Sequence, residues 1–184
     1  MIVFPPDTAR LRFRRWTEDD KIPFREINAD ARVMEHFPAR LEAEASDALI
    51  ERINTMIDQR GFGFWAVERL EDQRFIGFIG LSVPGWDAPF MPCVEVGWRL
   101  AHAFWGQGYA PEGARAALDF GFNQLGLSEI LAYTAASNLR SQRVMQKIGM
   151  QHAPEENFTH PLVPPDSPVA NHVVYRLPRW RYHN

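Results

Sequence analysis

Between an apolar, strand-like run that ends at Leu100 and a helix-like run that opens at Pro111 lies the stretch Trp105-Gly106-Gln107-Gly108-Tyr109-Ala110. Two glycines one residue apart permit a tight backbone turn and bring several amide N–H groups together with no Cβ in the way. The helix that follows adds its positive dipole end and its unpaired first-turn donors, so a phosphate or pyrophosphate is the natural guest. The same residues also fit a glycine-rich strand-to-helix connection with no ligand. What stands on either side decides between the two.

The chain has 184 residues, enough for a single domain, 1–184, with a real core. Hydrophobic residues at 46% and charged residues at 23% describe an ordinary folded protein. A formal net charge of −3 gives no general attraction to nucleic acid or to an anionic membrane, so neither is expected as a partner. Met1–Phe4 is a short apolar run broken by Pro5, Pro6 and Asp7, unlike a secretion signal. No apolar stretch is long enough to span a bilayer, and a cytoplasmic location is the expectation. Cys93 is the only cysteine, which excludes an internal disulfide, and no His/Cys cluster has structural-zinc spacing, so no metal is expected. With Met91 and Val94 beside it, Cys93 reads as a buried small residue rather than a nucleophile.

Taken in order, Arg10 to Arg15 alternates like a half-buried strand, with Leu11 and Phe13 inward and Arg10, Arg12 and Arg14 on a solvated face. Thr17 offers an N-cap to a short helix reaching about Ala29, and Asn28 to Pro38 reads as a second short helix or a loop. Ser46 is the expected cap of a helix carrying Leu49, Ile53, Met56 and Ile57 until Gly61 stops it. Phe62–Leu70 and Arg74–Val83 read as an antiparallel hairpin, a loop follows from Pro84 to Pro89, and Cys93–Leu100 is a third strand. A helix from Pro111 to Gln124 and a strand from Glu129 to Thr134 then complete a strand-helix-strand crossover, whose two strands should be parallel. Asn138 caps a further helix ending at Gly149, and Gln151–Ala153 and His172–Leu177 make a last strand pair around a proline-rich loop.

Three motifs in register carry a family likeness: the glycine turn, the strand Glu95-Val96-Gly97-Trp98-Arg99-Leu100, and the helix marked by Asn138, Ser141, Lys147 and Gly149. With these the chain resembles the GCN5-related N-acetyltransferases (GNAT), and within them the branch of ribosomal-protein N-terminal acetyltransferases. That family's loop runs Gln/Arg-x-x-Gly-x-Gly/Ala; Gly108 and Ala110 match it, and Trp105 stands where Gln or Arg is usual. The phosphate donors are backbone amides, which the changed side chain leaves intact. The order of elements agrees from about Ala9 to Trp180. The resemblance implies an α/β (α+β) GNAT fold. Its mixed central sheet would carry an antiparallel N-terminal meander, a parallel crossover that splays at the acetyl-coenzyme A site, and flanking helices. It also implies acetyl-coenzyme A as donor and an amine acceptor, a small molecule or a protein N-terminus, joined in a ternary complex by a monomer or homodimer.

That chemistry assigns tasks to residues. The amides of Gly106, Gln107, Gly108, Tyr109 and Ala110 would hold the pyrophosphate. By resemblance, the donor for the oxygen that becomes negative falls to Leu100 or Ala101, on a strand that bulges there. An ammonium must lose a proton before it attacks, and Glu95 is the candidate base; Gly97 and Arg99 share its strand face, and an ion pair with Arg99 is the other reading. Ser141 is the candidate donor to the leaving sulfur, or a hydroxyl capping its own helix. Asn138 is a cap in any reading and a pantetheine contact by resemblance. Lys147 and Arg143 meet the coenzyme's outer phosphate or are simply solvated, and solvation is the favoured reading. His36, His102, His152, His160 and His172 are scattered, with His102 nearest the chemistry and an alternative base. The acceptor pocket is expected from the first two helices and the Pro84–Pro92 loop, with Phe37, Trp65 and Trp86 as an apolar floor.

A binding module of the same fold with little catalysis is the competing class, and the intact loop, Asn138 and Ser141 argue against it. Nucleotide-hydrolase and dinucleotide readings fail because no Lys-Ser/Thr follows the loop and position 111 is proline where a third glycine belongs.

Overall fold

The alternation at the start of the chain does form a strand, β1 (Leu11–Arg14), with Leu11 and Phe13 buried. A single 3₁₀ turn, Glu18–Asp20, leads into α1 (Lys21–Ala29), and α2 follows at Ala43–Arg60. Then come β2 (Phe64–Arg69), β3 (Arg74–Ser82), β4 (Glu95–Leu100), α3 (Tyr109–Asn123), β5 (Glu129–Ala135) and α4 (Leu139–Lys147). The short strands β6 (Gln151–His152) and β7 (Phe158–Thr159), the longer β8 (Asn171–Pro178) and the one-turn α5 (Arg179–Tyr182) complete the chain. The computed structural model describes residues 4–182, so the Met1–Phe4 run lies, but for Phe4, outside the described residues.

The strands form one mixed sheet in the order β1-β2-β3-β4-β5-β8-β6, with β7 also on β8. All neighbours are antiparallel except β4 and β5, the two strands joined by the α3 crossover. Helix α3 packs on one face, where Gly113 sits against Ile79 and Leu11, and Trp65 meets Phe120 edge to face. Helices α1 and α2 cover the other face, where Trp16, Phe24 and Phe78 form an aromatic cluster. Burying rings and branched chains on both faces is what pins the register, since a one-residue slip would expose every one of them. Among the described residues no helix is long and apolar enough to cross a membrane.

Several local expectations are corrected. Ser46 does not cap α2: the helix starts a turn earlier with Glu42 at its N-cap, and Ser46 is fully buried inside it, accepting a hydrogen bond from Asn28 at 2.9 Å. Of the two readings left open for Asn28 to Pro38, the loop holds, since residues 30 to 40 make turns. Helix α3 begins at Tyr109, two residues before Pro111, so the proline sits in the first turn where its missing N–H is not needed. Arg10 and Arg12 of the expected solvated face are exposed, but all three arginines are also paired. Arg14 donates to the buried Asp20 at 2.7 and 2.8 Å and to Glu68 at 3.1 Å, and Arg10 reaches across to α3. The bulge expected in β4 lies one strand away. The β2–β3 register shifts between Val67 and Glu68, leaving Ile76 as the extra residue, whereas β3 and β4 pair evenly up to Gly77 and Leu100.

Candidate active site

The site begins where the sheet fails to close. Strands β4 and β5 share a single registered rung, Glu95 opposite Leu131, where the Leu131 N–H donates to the Val94 carbonyl at 2.9 Å. Beyond that rung they diverge. Alternation along β4 turns the backbone of Glu95, Gly97 and Arg99 toward β3 and that of Trp98 and Leu100 toward the gap. The Ala101 N–H is bonded to the Ile76 carbonyl at 2.9 Å, so of the two amides expected to serve the reacting oxygen Ala101 is already engaged and Leu100 faces the cleft. The indole N–H of Trp105 donates to the Leu100 carbonyl at 2.8 Å and fixes the end of the strand. This is the side-chain task left to the tryptophan at a position where Gln or Arg is usual. Gly77, at φ +133° with its Cβ position 2.1 Å from the Arg99 carbonyl, admits the close passage of β4.

At the open end lies the glycine turn. Gly106 and Gly108 both take left-handed backbone, φ +74° and +85°, and Gly108 is the N-cap of α3 without any capping side chain. Among the described residues none accepts from the amides of Gly106, Gln107, Gly108, Tyr109 or Ala110, so five donors stand at a helix N-terminus unengaged. The turn is clamped from outside. Arg10 donates to the Gln107 carbonyl at 2.9 Å and to Glu112 at 2.7 Å, lies over the Tyr109 ring at 4.4 Å, and Thr8 bonds Glu112 at 2.6 Å. The Gln107 side chain turns away to Ala103, leaving only its backbone for a ligand.

Between fork and turn runs a cleft of about 680 Å³. Glu95 lines it at the root of the fork, half-buried, and burial pushes its carboxyl up to about 7 against the pull of a hydrogen bond from Tyr133. Arg99 does not pair with it and bonds Asn28 instead. His102 stands outside the cleft, its ring 5.0 Å from that of Trp105, whereas His160 and His172 line the wall near Glu95 with their rings 4.9 Å apart. Burial holds both imidazoles below their usual range, His160 at about 4, so they face the cleft as neutral rings. The Cys93 thiol is raised to about 11 by burial and touches Met91, in keeping with a packing role.

On the other side of the fork, Asn138 caps α4 by accepting from the Ser141 N–H at 3.1 Å. Its amide nitrogen donates to Thr134 at 3.0 Å and to the Ser141 hydroxyl oxygen at 3.1 Å. Ser141 is therefore capped rather than capping, and its own hydrogen is left to give. Asn138→Ala should cost about 1 kcal/mol of stability as a lost cap. It should also remove the amide that holds the Ser141 hydroxyl oxygen, so any loss of activity beyond the stability change, read by chemical denaturation and steady-state kinetics on one preparation, marks a part for Ser141 in the reaction. Arg143 and Lys147 both line the cleft below Ser141.

The expected apolar floor is only partly right. Phe37 lines the cleft, but Trp65 is fully buried in the core against Phe13 and Phe120, and Trp86 stands behind His160 and Tyr133. The floor is instead Phe64 and Phe78, stacked 4.8 Å apart, with Val33 beside them. Tyr133 and Asn28 went unread. A register pairing β5 with β8, which seats Ala135 opposite His172, brings the histidines in, and no local pattern encodes it.

The sequence pattern of the acetyltransferase (GNAT) domain matches residues 10–151. The chain is 33% identical over 142 residues to FsC-acetyl coenzyme A-N(2)-transacetylase of Aspergillus fumigatus, a match covering 75% of this chain and 59% of that protein. It is 36% identical over 98 residues to YkkB of Bacillus subtilis, covering 52% and 56%. The matches thus span less than two thirds of the length of these two relatives. An acetyltransferase structure from Agrobacterium tumefaciens superposes with a TM-score of 0.76 at 26% identity, over 95% of this chain and 94% of that one. Since the matched region takes in the fork, the glycine turn and the Asn138 helix together, the chain belongs to the GNAT acetyltransferase family.

Proposed function

We propose that the protein is an N-acetyltransferase that moves an acetyl group from acetyl-coenzyme A to a primary amine by direct attack within a ternary complex. The observation that carries this reading is Glu95: a half-buried carboxylate, raised to about 7, at the root of a strand fork whose free amides lead to an unengaged helix N-terminus. The coenzyme supplies an activated thioester. The five loop amides fit its pyrophosphate, and the backbone of Trp98 and Leu100 fits an amide-bearing arm laid along β4.

Glu95 takes a proton from the acceptor's ammonium, and a base near neutrality suits that task. Leu100 N–H stabilises the charge that develops on the carbonyl oxygen. As the carbon–sulfur bond breaks, the Ser141 hydroxyl gives its hydrogen to the sulfur and regains one from the attacking nitrogen. The Aspergillus relative, named an acetyl coenzyme A-N(2)-transacetylase, supports both donor and acceptor class. The strand and helix motifs of the N-terminal acetyltransferase branch support an α-amine as acceptor, on a protein or a small molecule, with the protein acting in the cytoplasm as a monomer or homodimer.

Incubation with acetyl-coenzyme A and a panel of amines, followed by thiol release, tests the reading. Acetylated product and stoichiometric free thiol are expected with at least one amine. Tight coenzyme binding with no thiol release for any acceptor would instead favour a binding module.

A further inference from the structure

Arg99 lies on the face of β4 that carries Glu95 and Gly97, and it lines the cleft. Its Nη1 donates to Oδ1 of Asn28 at 2.6 Å, its plane lies over the Phe37 ring at 4.3 Å, and its Nε is buried with no acceptor. Among the described residues no carboxylate forms an ion pair with it. Burial pulls the guanidinium down to about 10, as expected of a cation that nothing nearby neutralises.

The support behind Arg99 is deliberate in its chemistry. Asn28 is fully buried between α1 and α2, and its Nδ2 donates to Ser46, equally buried, at 2.9 Å. Polar side chains placed where two helices pack are unfavourable unless hydrogen-bonded, and here the pair's remaining acceptor holds the guanidinium. A half-buried cation without a counterion, its Nε shut off from solvent, carries a desolvation cost, so a partner arriving from the cleft is favoured. A guanidinium matches a planar carboxylate through two parallel N–H bonds. Around it the wall is apolar: Val33, Phe37, Phe64 and Phe78.

We propose that Arg99, positioned by Asn28 and Ser46, is the subsite for a carboxylate on the acceptor, which is therefore a small amine with an apolar body and a carboxylate, of amino-acid type. The inference rests on the acetyl-transfer reading above and narrows its acceptor. Glu95 and Arg99 are four residues apart on one strand face, roughly 13 Å between Cα atoms. Gly97, with no side chain, lets the Phe64 ring pack to 2.9 Å from its Cβ position, so an apolar ring lies between the two charged groups as a floor for the acceptor, its amine toward Glu95 and its carboxylate toward Arg99.

The test compares L-leucine and L-phenylalanine with their amides, in the natural protein, Arg99→Met and Arg99→Lys. In the natural protein KM for each acid should lie about 10- to 100-fold below that of its amide. Arg99→Met should bring the ratio close to one without changing the ratio of kcat values, and Arg99→Lys should fall between. Equal KM for acid and amide in the natural protein, or an equal rise for both in Arg99→Met, overturns the subsite. Calorimetry of the same four compounds into protein saturated with coenzyme A needs no turnover. An acid preference that Arg99→Met removes supports the subsite even where none of the four is acetylated, an outcome that would count against acetyl transfer alone. Binding of none of the four, or turnover without acid preference, overturns the subsite and leaves acetyl transfer intact. Where Arg99→Met does not fold, Arg99→Lys carries the comparison.

Discussion

Glu95→Gln is expected to lower kcat/KM for the amine by roughly 10²- to 10⁴-fold, the usual worth of a positioned base, while the affinity for coenzyme A stays as it was. The loss should be largest above pH 7, because with Glu95 as base the natural protein's activity is expected to rise with pH as this carboxyl, raised by burial to about 7, gives up its proton. The variant has no such limb. A pH–rate profile with the same limb in both proteins would remove Glu95 as the base.

The same shift makes a statement about stability. A carboxyl whose folded value lies above its unfolded one favours the folded state below pH 4.5, and that contribution is lost as pH rises through about 7. Glu95→Gln should therefore be more stable than the natural protein at pH 8, by about 3 kcal/mol, and no more stable at pH 4. Denaturation at the two pH values checks the sign. Lower activity with higher stability is the pattern of a charge kept in a poor place for a chemical purpose.

Gly108→Trp is expected to weaken coenzyme A binding by at least about 100-fold, since a side chain would stand where amides must approach a phosphate. Gly108 has φ +85°, and a Cβ there comes within 3.4 Å of Arg10, so part of the effect is backbone strain and a displaced clamp. Gly61→Ala separates these terms. Gly61 ends α2 at φ +79° with nothing within 4 Å of its Cβ position, and it is not part of the cleft wall. The alanine should cost about 1 kcal/mol of stability and leave coenzyme binding unchanged. Calorimetry on both variants decides; undiminished affinity in Gly108→Trp would end the assignment of the turn to the coenzyme.

Most of the fold is legible along the chain because its signals are local. The period of Ile53 and Ile57, the alternation of Leu11 and Phe13, and the stops at Gly61 and Gly149 each act within one element. Glu95, Asn138 and Ser141, the residues proposed to act at the site, are picked out for the same reason, lying in short patterns next to the fork. What escapes is decided by tertiary neighbours. Ser46 looks like a cap because serine usually is one, yet it is buried within a helix to serve Asn28, which is 18 residues earlier. Trp65 has the composition of a pocket floor and the environment of a core. Arg10 reads as solvated because its partners, Gln107 and Glu112, lie about a hundred residues on.

The parted strands β4 and β5 amount to a sheet edge placed inside the molecule. Proteins usually shield or break an edge, because its unpaired groups recruit any extended chain that comes near. Here the hazard is contained, since α3 packs on β4, α4 packs on β5, and the opening beside Trp98 leads into the cleft. A guest that completes the missing rungs closes the sheet across its whole width. The protein is then knit most tightly only while it is loaded.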